Sequence, residues 1–290
     1  MVSIVIPTYN ATRNLSELLQ SINKQNISKE VIVIDSSSSD GTNDIARSFG
    51  ANVLSINKEE FGHGKTRNLA ASNAKGEIIV FLTQDCVLAG NDAISGLIES
   101  LKKERIAAVY GRQIPREGAI PTEKFARLYN YPEEPIMKGR EQVEEMGIKT
   151  FFFSNVFSAI RRKEFEEIGG FPENVIMFED MLFAAKLIER GYRIAYVPEA
   201  KVIHSHDYSL VQQLRRYYQA GVSFQRNPWF MRYAGSNKEG ITFLKKEIKF
   251  LFKQKKYLWI LYAMLEAICK YTGYTLGLHY DRLPRFLKKG

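Results

Sequence analysis

The sequence predicts an α/β fold in which a mostly parallel central sheet is flanked by helices and followed by a helical C-terminal extension. Three observations predict it. Short β-branched apolar runs, each ending abruptly in a polar residue, recur through the N-terminal third of the chain. Helical patterns lie between them, and strand–helix alternation produces parallel sheets covered on both faces. After Asp207 the alternation stops and long helical patterns take over.

The elements follow in order. Residues 3–10, SIVIPTYN, read as a buried strand entering a polar loop, and residues 14–23 as a helix. Residues 30–35, EVIVID, form a second strand; an unbroken Val/Ile run marks a strand buried on both faces. A polar, glycine-containing loop leads to a helix over 42–49. Residues 52–56 are a third strand, 65–74 a third helix, and 77–82, EIIVFL, a fourth strand running into Thr83-Gln84-Asp85. Open α/β sheets place ligands beyond the carboxyl ends of their strands, so Thr8, Asp35 and Asp85 should gather along one edge. Asp35 there either meets a ligand or caps the next turn.

A chain of 290 residues with 45% hydrophobic composition can bury one sizeable core and carry an appendage. Its two cysteines, Cys86 and Cys269, lie far apart, which suits a reducing cytosol and argues against a disulfide framework or a zinc site. The start MVSIVIPTYN reads as a strand, not a signal peptide. The net charge of +9 suits an anionic partner: nucleic acid, anionic lipid or a phosphorylated substrate. No nucleic-acid module is recognisable. Ile241, Leu244, Ile248 and Leu251 recur at helical spacing, with Lys245, Lys249 and Lys253 on a neighbouring face. Residues 257–268 are apolar but shorter than the about 20 residues of a spanning helix, and Glu266 and Lys270 interrupt their continuation. Two readings stand side by side: a basic amphipathic helix at a bilayer interface, or a helical pair packed on the first domain with solvated lysines.

Several motifs stand in a particular series. Pro7-Thr8-Tyr9-Asn10 ends the first strand; Asp35 is followed by Ser38, Asp40, Gly41 and Thr42. Thr66-Arg67-Asn68, Thr83-Gln84-Asp85, Gly169-Gly170-Phe171 and Glu179-Asp180 come after. In this order they resemble the family 2 inverting glycosyltransferases of the GT-A fold, over about residues 1–207. Residues 61–68 (FGHGKTRN), 110–116 (YGRQIPR), Asn130-Tyr131-Pro132, 153–162 (FSNVFSAIRR) and Leu283-Pro284 resemble the rhamnosyltransferase branch, whose usual donor is dTDP-L-rhamnose.

The resemblance implies a Rossmann-like GT-A catalytic domain over 1–207 and a basic helical extension over 208–290. The implied reaction moves a sugar, L-rhamnose from dTDP-L-rhamnose, to a hydroxyl of a saccharide or lipid-linked acceptor in cell-surface polysaccharide synthesis. The implied place is cytoplasmic, peripheral on the inner face of the membrane, with an anionic membrane surface as a partner and nucleic acid excluded. A transferase using a UDP-sugar donor and a non-catalytic nucleotide-sugar-binding protein are the alternatives. A nucleotidyltransferase would need a Gly-rich N-terminal loop, and neither that nor a GxxxxGK[ST] loop is present.

An inverting transfer needs a base for the acceptor hydroxyl and charge relief for the departing nucleoside diphosphate. Asp180 is the candidate base: it opens a helical pattern, where the dipole favours an ionised carboxylate able to accept a proton. Glu179 is read as orienting the acceptor or a neighbouring chain segment. The resemblance implies a divalent cation, Mg²⁺ or Mn²⁺, which can serve as the Lewis acid for the leaving group. The family's Asp-x-Asp is here Thr83-Gln84-Asp85, a variant frequent in the rhamnosyltransferase-like branch. Asp85 is the candidate metal ligand, with Thr83 contacting the ribose or a metal-bound water. His204 is the second candidate ligand; on an extended segment His206 shares its face, and either imidazole can ligate a metal or, protonated, neutralise phosphate. The resemblance implies that Pro7, Thr8 and Tyr9 frame the pyrimidine and that Asp35 accepts its N3–H, with Ser37, Gln84 and Asp85 completing the nucleotide-sugar site. Arg67 suits base or diphosphate, and Lys65 with His63 approaches phosphate. Asn155 and Arg161 are assigned to the donor or acceptor pocket. Tyr129-Asn130-Tyr131 line an acceptor groove or belong to the core.

Overall fold

Four apolar runs near the N-terminus form adjacent parallel strands: β1 (Val2–Thr8), β2 (Lys29–Asp35), β3 (Asn52–Ser55) and β4 (Ile78–Leu82). The connecting helices α1 (Thr12–Asn23), α2 (Thr42–Ser48) and α3 (His63–Ser72) are where the periodicity places them. In the computed structural model, which describes residues 1–103, 105–233 and 238–284, the register sets Thr8 opposite Asp35 and Asp35 opposite Ser55. The polar strand ends therefore share one edge.

The chain continues through β5 (Val87–Ala89), α4 (Ala93–Leu101), β6 (Ile106–Ile114), α5 (Pro121–Asn130), β7 (Ile136–Lys138), α6 (Val143–Met146), β8 (Phe157–Arg161), α7 (Arg162–Ile168), α8 (Glu179–Glu189) and β9 (Arg193–Ile203). Among the described residues, C-terminal helices follow: α9 (Leu210–Gln225), α10 (Pro228–Met231), α11 (Lys238–Lys253) and α12 (Tyr257–Leu278).

Among the described residues the strands make one sheet of order β3-β2-β1-β4-β8-β6-β9-β5, with β7 also on β9. The expected parallel pairing holds for β1 to β4 and returns for β6 with β9. Strand β8 runs antiparallel to both β4 and β6, and β5 and β7 run antiparallel to β9. Strands β1 to β4 are each joined to the next through a helix, the connection that parallel neighbours need. Between Gly111 and Arg112 the β6–β9 register shifts. A Cβ on Gly111 would stand 2.4 Å from the Phe157 ring and 2.5 Å from the Ala200 carbonyl, so this irregularity requires glycine. After the shift Gln113 pairs with Val202, and the His204 amide donates to the Ile114 carbonyl.

The residues fall into two compact units. The first comprises Met1–Ile114, Tyr131–Asn174 and Glu179–His204; the second comprises Pro115–Asn130, Val175–Phe178 and Ser205–Gly290. The second thus draws two short segments from within the span 1–207 that the sequence assigns to one domain. Residues 285–290 of the expected extension lie outside the described residues.

In the first unit Ile4, Ile6, Leu15, Val80, Ile94 and Val109 belong to one buried cluster. Another cluster is aromatic: the Phe171 ring lies 5.1 Å from Phe81, 5.1 Å from Phe165 and 4.9 Å from Phe183. In the second unit α9 and α12 pack nearly backbone to backbone. A Cβ on Gly277 would lie 2.1 Å from the Tyr218 carbonyl, and one on Gly273 2.2 Å from that of Leu214. Phe243 and Phe250 of α11 pack on Phe125 of α5, at 5.1 and 5.3 Å.

The apolar face expected on α11 is not an outward one. Leu251 is buried, Leu244 and Ile248 are half-buried, and of that set only Ile241 is exposed. Most of the exposed large apolar residues of the described C-terminal helices lie instead on α12. Among the described residues no helix is long and apolar enough to cross a membrane.

Candidate active site

The ends of β1 and β2 are tied by side chains. Thr8 Oγ1 donates to Asp35 Oδ1 at 3.0 Å, Ser38 donates through both its amide and its hydroxyl, and Asn43 Nδ2 donates to Oδ2 at 3.2 Å. Asp35 is fully buried, and these four bonds match a carboxylate's acceptor capacity. The residue expected to read the base edge thus organises the loop that follows it. Beside it, Ser36 Oγ and Asn43 Oδ1 are buried with no hydrogen-bond partner among the described residues, so they are the open polar atoms at this strand end. Ser37, also assigned to the nucleotide sugar, adopts a left-handed φ of 62° and donates its hydroxyl to the Ile56 carbonyl at 3.0 Å.

Gln84 is likewise engaged. Its Oε1 accepts from the Tyr9 amide at 2.7 Å and its Nε2 donates to the Tyr9 carbonyl at 3.2 Å, joining the ends of β1 and β4. Pro7 is half-buried. The Tyr9 side chain is exposed, and Lys58 Nζ donates to its hydroxyl at 2.7 Å while standing 4.6 Å from the ring centroid. Lys65 is exposed in the first turn of α3. Lys58, which no sequence motif marks, is thus a second cation at this edge.

Arg67, Glu179, Asp180 and Asn155 come together around the start of α8. Arg67 Nη1 lies 3.1 Å from Glu179 Oε1, with both side chains buried, and Arg67 Nε has no partner among the described residues. Asn155 Nδ2 donates to Glu179 Oε1 at 3.4 Å, and the Asn155 amide donates to Asp180 Oδ2 at 3.2 Å. Asp180 Oδ1 accepts from the Met181 amide at 2.8 Å. Burial, and next the Glu179 charge, push the Asp180 carboxyl up to about 7, against the opposing pull of the two amides and Arg67. Part of Asp180 stays open to solvent. A half-open carboxyl poised near neutrality has the properties of a general base.

Asp85 Oδ1 stands 3.5 Å from His204 Nε2. Gln113 faces the histidine's other ring nitrogen. Its Nε2 donates to the Tyr131 hydroxyl and, at 2.9 Å, to Ser154 Oγ. Its Oε1 lies 2.9 Å from His204 Nδ1, placed to accept from it. With Nδ1–H donating there, Nε2 is the ring nitrogen that faces Asp85. One carboxylate oxygen beside one imidazole nitrogen, with the far nitrogen held by an acceptor, is a donor set that fits a divalent cation. Thr83 Oγ1 is buried nearby in sequence with no partner among the described residues. His206 belongs to the second unit, where its amide donates to Glu123 at 3.1 Å.

Other motif residues prove architectural. Asn68 donates to the Phe171 carbonyl and accepts the Phe171 amide, each at 2.9 Å, stapling α3 to the Gly-Gly-Phe turn. Gly170 sits there at φ +70°. Arg161 donates to the backbone carbonyls of Ile106 and Leu101, so it braces the fold. Tyr129 packs among the aromatics of α5 and α11, whereas Tyr131 is buried against Gln113. Gln113 lies in the YGRQIPR segment, yet nothing in the sequence singles it out; a lone glutamine carries no signal until its partners are known.

Residues 3–169 match the model of glycosyl transferase family 2. The chain is 42% identical over 286 residues to the O-antigen chain rhamnosyltransferase WbaN of Salmonella anatum, covering 97% of this chain and 90% of that one. It belongs to glycosyl transferase family 2. This glycosyltransferase is also 43% identical over 287 residues to the O-antigen chain rhamnosyltransferase RfbN of Salmonella typhimurium, covering 98% and 91%. In fold it is similar to the mannosyltransferase PcManGT from Pyrobaculum calidifontis, solved with GDP-Man and Mn²⁺. The TM-score is 0.66 at 19% identity, over 97% of this chain and 88% of that one. The architecture is the GT-A fold that the motif series implied.

Proposed function

We propose that this glycosyltransferase is an inverting rhamnosyltransferase that moves L-rhamnose from dTDP-L-rhamnose to a hydroxyl of a lipid-linked saccharide in cell-surface polysaccharide synthesis. The observation that carries the donor class is the identity above 40% to two O-antigen chain rhamnosyltransferases over nearly the whole chain. The observation that supports the chemistry is Asp180, a carboxyl raised toward neutrality at the start of α8.

In this reading Asp180 takes the acceptor hydroxyl proton as the new glycosidic bond forms. The Asn155 and Met181 amides fix its two oxygens, so little reorganisation accompanies the transfer. Arg67 and Asn155 hold Glu179 in place beside it, where its charge keeps Asp180 a stronger base. Pro7, Thr8, Tyr9, Ser37 and the Asp35 loop form the nucleotide side, with Lys65 and Lys58 near the phosphates. Asp85 and His204 would hold a Mg²⁺ or Mn²⁺ ion, whose charge offsets that of the leaving diphosphate. The enzyme works on the cytoplasmic side, peripheral to an anionic membrane that carries the acceptor.

The test is a panel of dTDP-L-rhamnose, UDP-glucose, UDP-GlcNAc and GDP-mannose, assayed for hydrolysis and transfer with Mg²⁺ or Mn²⁺. Selective turnover of dTDP-L-rhamnose, with inversion at the anomeric carbon seen by NMR, is expected. Preference for a UDP- or GDP-linked sugar rejects the donor assignment. Binding of nucleotide sugar without any turnover leaves only the non-catalytic alternative.

A further inference from the structure

We propose that the outward face of α12 docks into the interface of an anionic bilayer, with the lysine-rich turn before it on the lipid headgroups. The proposal rests on the membrane-side reading above and names the surface responsible.

Helix α12 has its polarity inverted relative to an ordinary surface helix. Leu258 is 87% exposed and Leu261 61% exposed, and Leu265, Ile268 and Tyr271 continue the same face at helical spacing. The charged residues lie on the opposite, buried side. There Glu266 pairs with Lys270 at 2.5 Å and accepts from Gln213 at 3.0 Å, close to Gly273 and Gly277. Apolar stripes of this length are unusual on a soluble surface and mark a contact site.

The stripe continues across the turn into α11. The exposed Phe252 ring packs against Tyr257 at 5.6 Å. Lys253, Lys255 and Lys256, all exposed, lie between the two aromatics in the chain. Charge selects the occupant. Between residues 241 and 271 the only acids are Glu247 and Glu266, and both are buried. A second copy of the same surface would bring more lysines and no exposed carboxylate from this segment to meet them. Anionic headgroups supply that counter-charge, and acyl chains accept the stripe. The helix lies in the interface and does not span, because its inner face carries the Glu266–Lys270 pair.

Flotation of the full chain with phosphatidylcholine vesicles, and with vesicles containing phosphatidylglycerol, tests this. The variants are Leu258→Gln/Leu261→Gln/Ile268→Gln and Lys253→Gln/Lys255→Gln/Lys256→Gln, all at exposed positions. Wild type should partition onto the phosphatidylglycerol vesicles and only weakly onto phosphatidylcholine. The lysine variant should lose about a hundredfold in partitioning and the apolar variant at least tenfold. Both should keep wild-type circular dichroism and donor hydrolysis. If wild type binds and both variants bind equally well, another surface serves the membrane; the docking face is wrong while the membrane reading stands. If wild type fails to bind either vesicle, both fall. Loss of a dimer in the apolar variant, with vesicle binding unchanged, assigns the stripe to a second copy and overturns the proposal.

Discussion

Arg67 and Glu179, 112 residues apart in the chain, meet as a buried ion pair with Nη1 3.1 Å from Oε1. The pair joins α3 to the first turn of α8 and so sets where Asp180 stands.

Breaking one side of this pair should be costly. Arg67→Met leaves Glu179 as an uncompensated buried charge and should lower stability by about 3–5 kcal/mol in urea denaturation. The double variant Arg67→Met/Glu179→Leu should recover most of that loss, because no buried charge remains. Equal losses for single and double variants would show that the pairing contributes nothing.

Asp180→Asn should lower kcat by about 10²-fold or more, with donor affinity by calorimetry little changed. The pH profile follows from the raised carboxyl. A base must be deprotonated to act, and burial beside Glu179 moves its titration up to about 7. Activity of the wild type should rise with pH through about 7 and level off above it. An acid limb near pH 4 would mean that the base titrates as an ordinary carboxylate, without the raised value.

Gln113→Leu should weaken Mn²⁺ binding about 10- to 100-fold, since it removes the acceptor that holds His204 Nδ1–H. Gln113→Glu retains an acceptor and should retain most of the affinity. Electron paramagnetic resonance titration of free Mn²⁺ reads this without turnover. Unchanged affinity in Gln113→Leu would remove His204 or its tautomer from metal binding.

The α9–α12 contact depends on missing side chains. Gly277→Ala places a methyl 2.1 Å from the Tyr218 carbonyl and should destabilise the protein by about 1–3 kcal/mol. Gly240→Ala, in α11 with nothing within 4 Å of the added carbon, should be neutral or slightly stabilising. Thermal unfolding of the two variants separates crowding from helix propensity, and equal melting temperatures would contradict the close packing.

Much of the site is legible in the sequence because it lies at the ends of strongly patterned elements. The carboxyl ends of β1, β2 and β4 are visible as apolar runs stopping at Thr8, Asp35 and Asp85, and Asp180 as an acid opening a helical period. What each side chain does there is not legible. Asp35 and Gln84 look like ligand contacts from position alone, yet their polar atoms are engaged by Ser38 and Asn43, and by the Tyr9 backbone. Gln113 and Lys58 belong to no visible pattern, because their importance lies in single contacts to distant residues.

The sequence by itself determined the strand–helix series, the polar edge and the motif order, since hydrophobic periodicity and turn chemistry are local properties. The tertiary structure alone decided the antiparallel placement of β8, the Arg67–Glu179 and Asn68–Phe171 pairings, and the direction in which α12 turns its faces. An apolar run such as 257–268 reads equally as core or as surface. Gly273 and Gly277, packed on α9, turn the Glu266–Lys270 side inward and leave Leu258 and Leu261 outside. That choice depends on how closely two backbones can approach, a property of the helix pair and not of either segment.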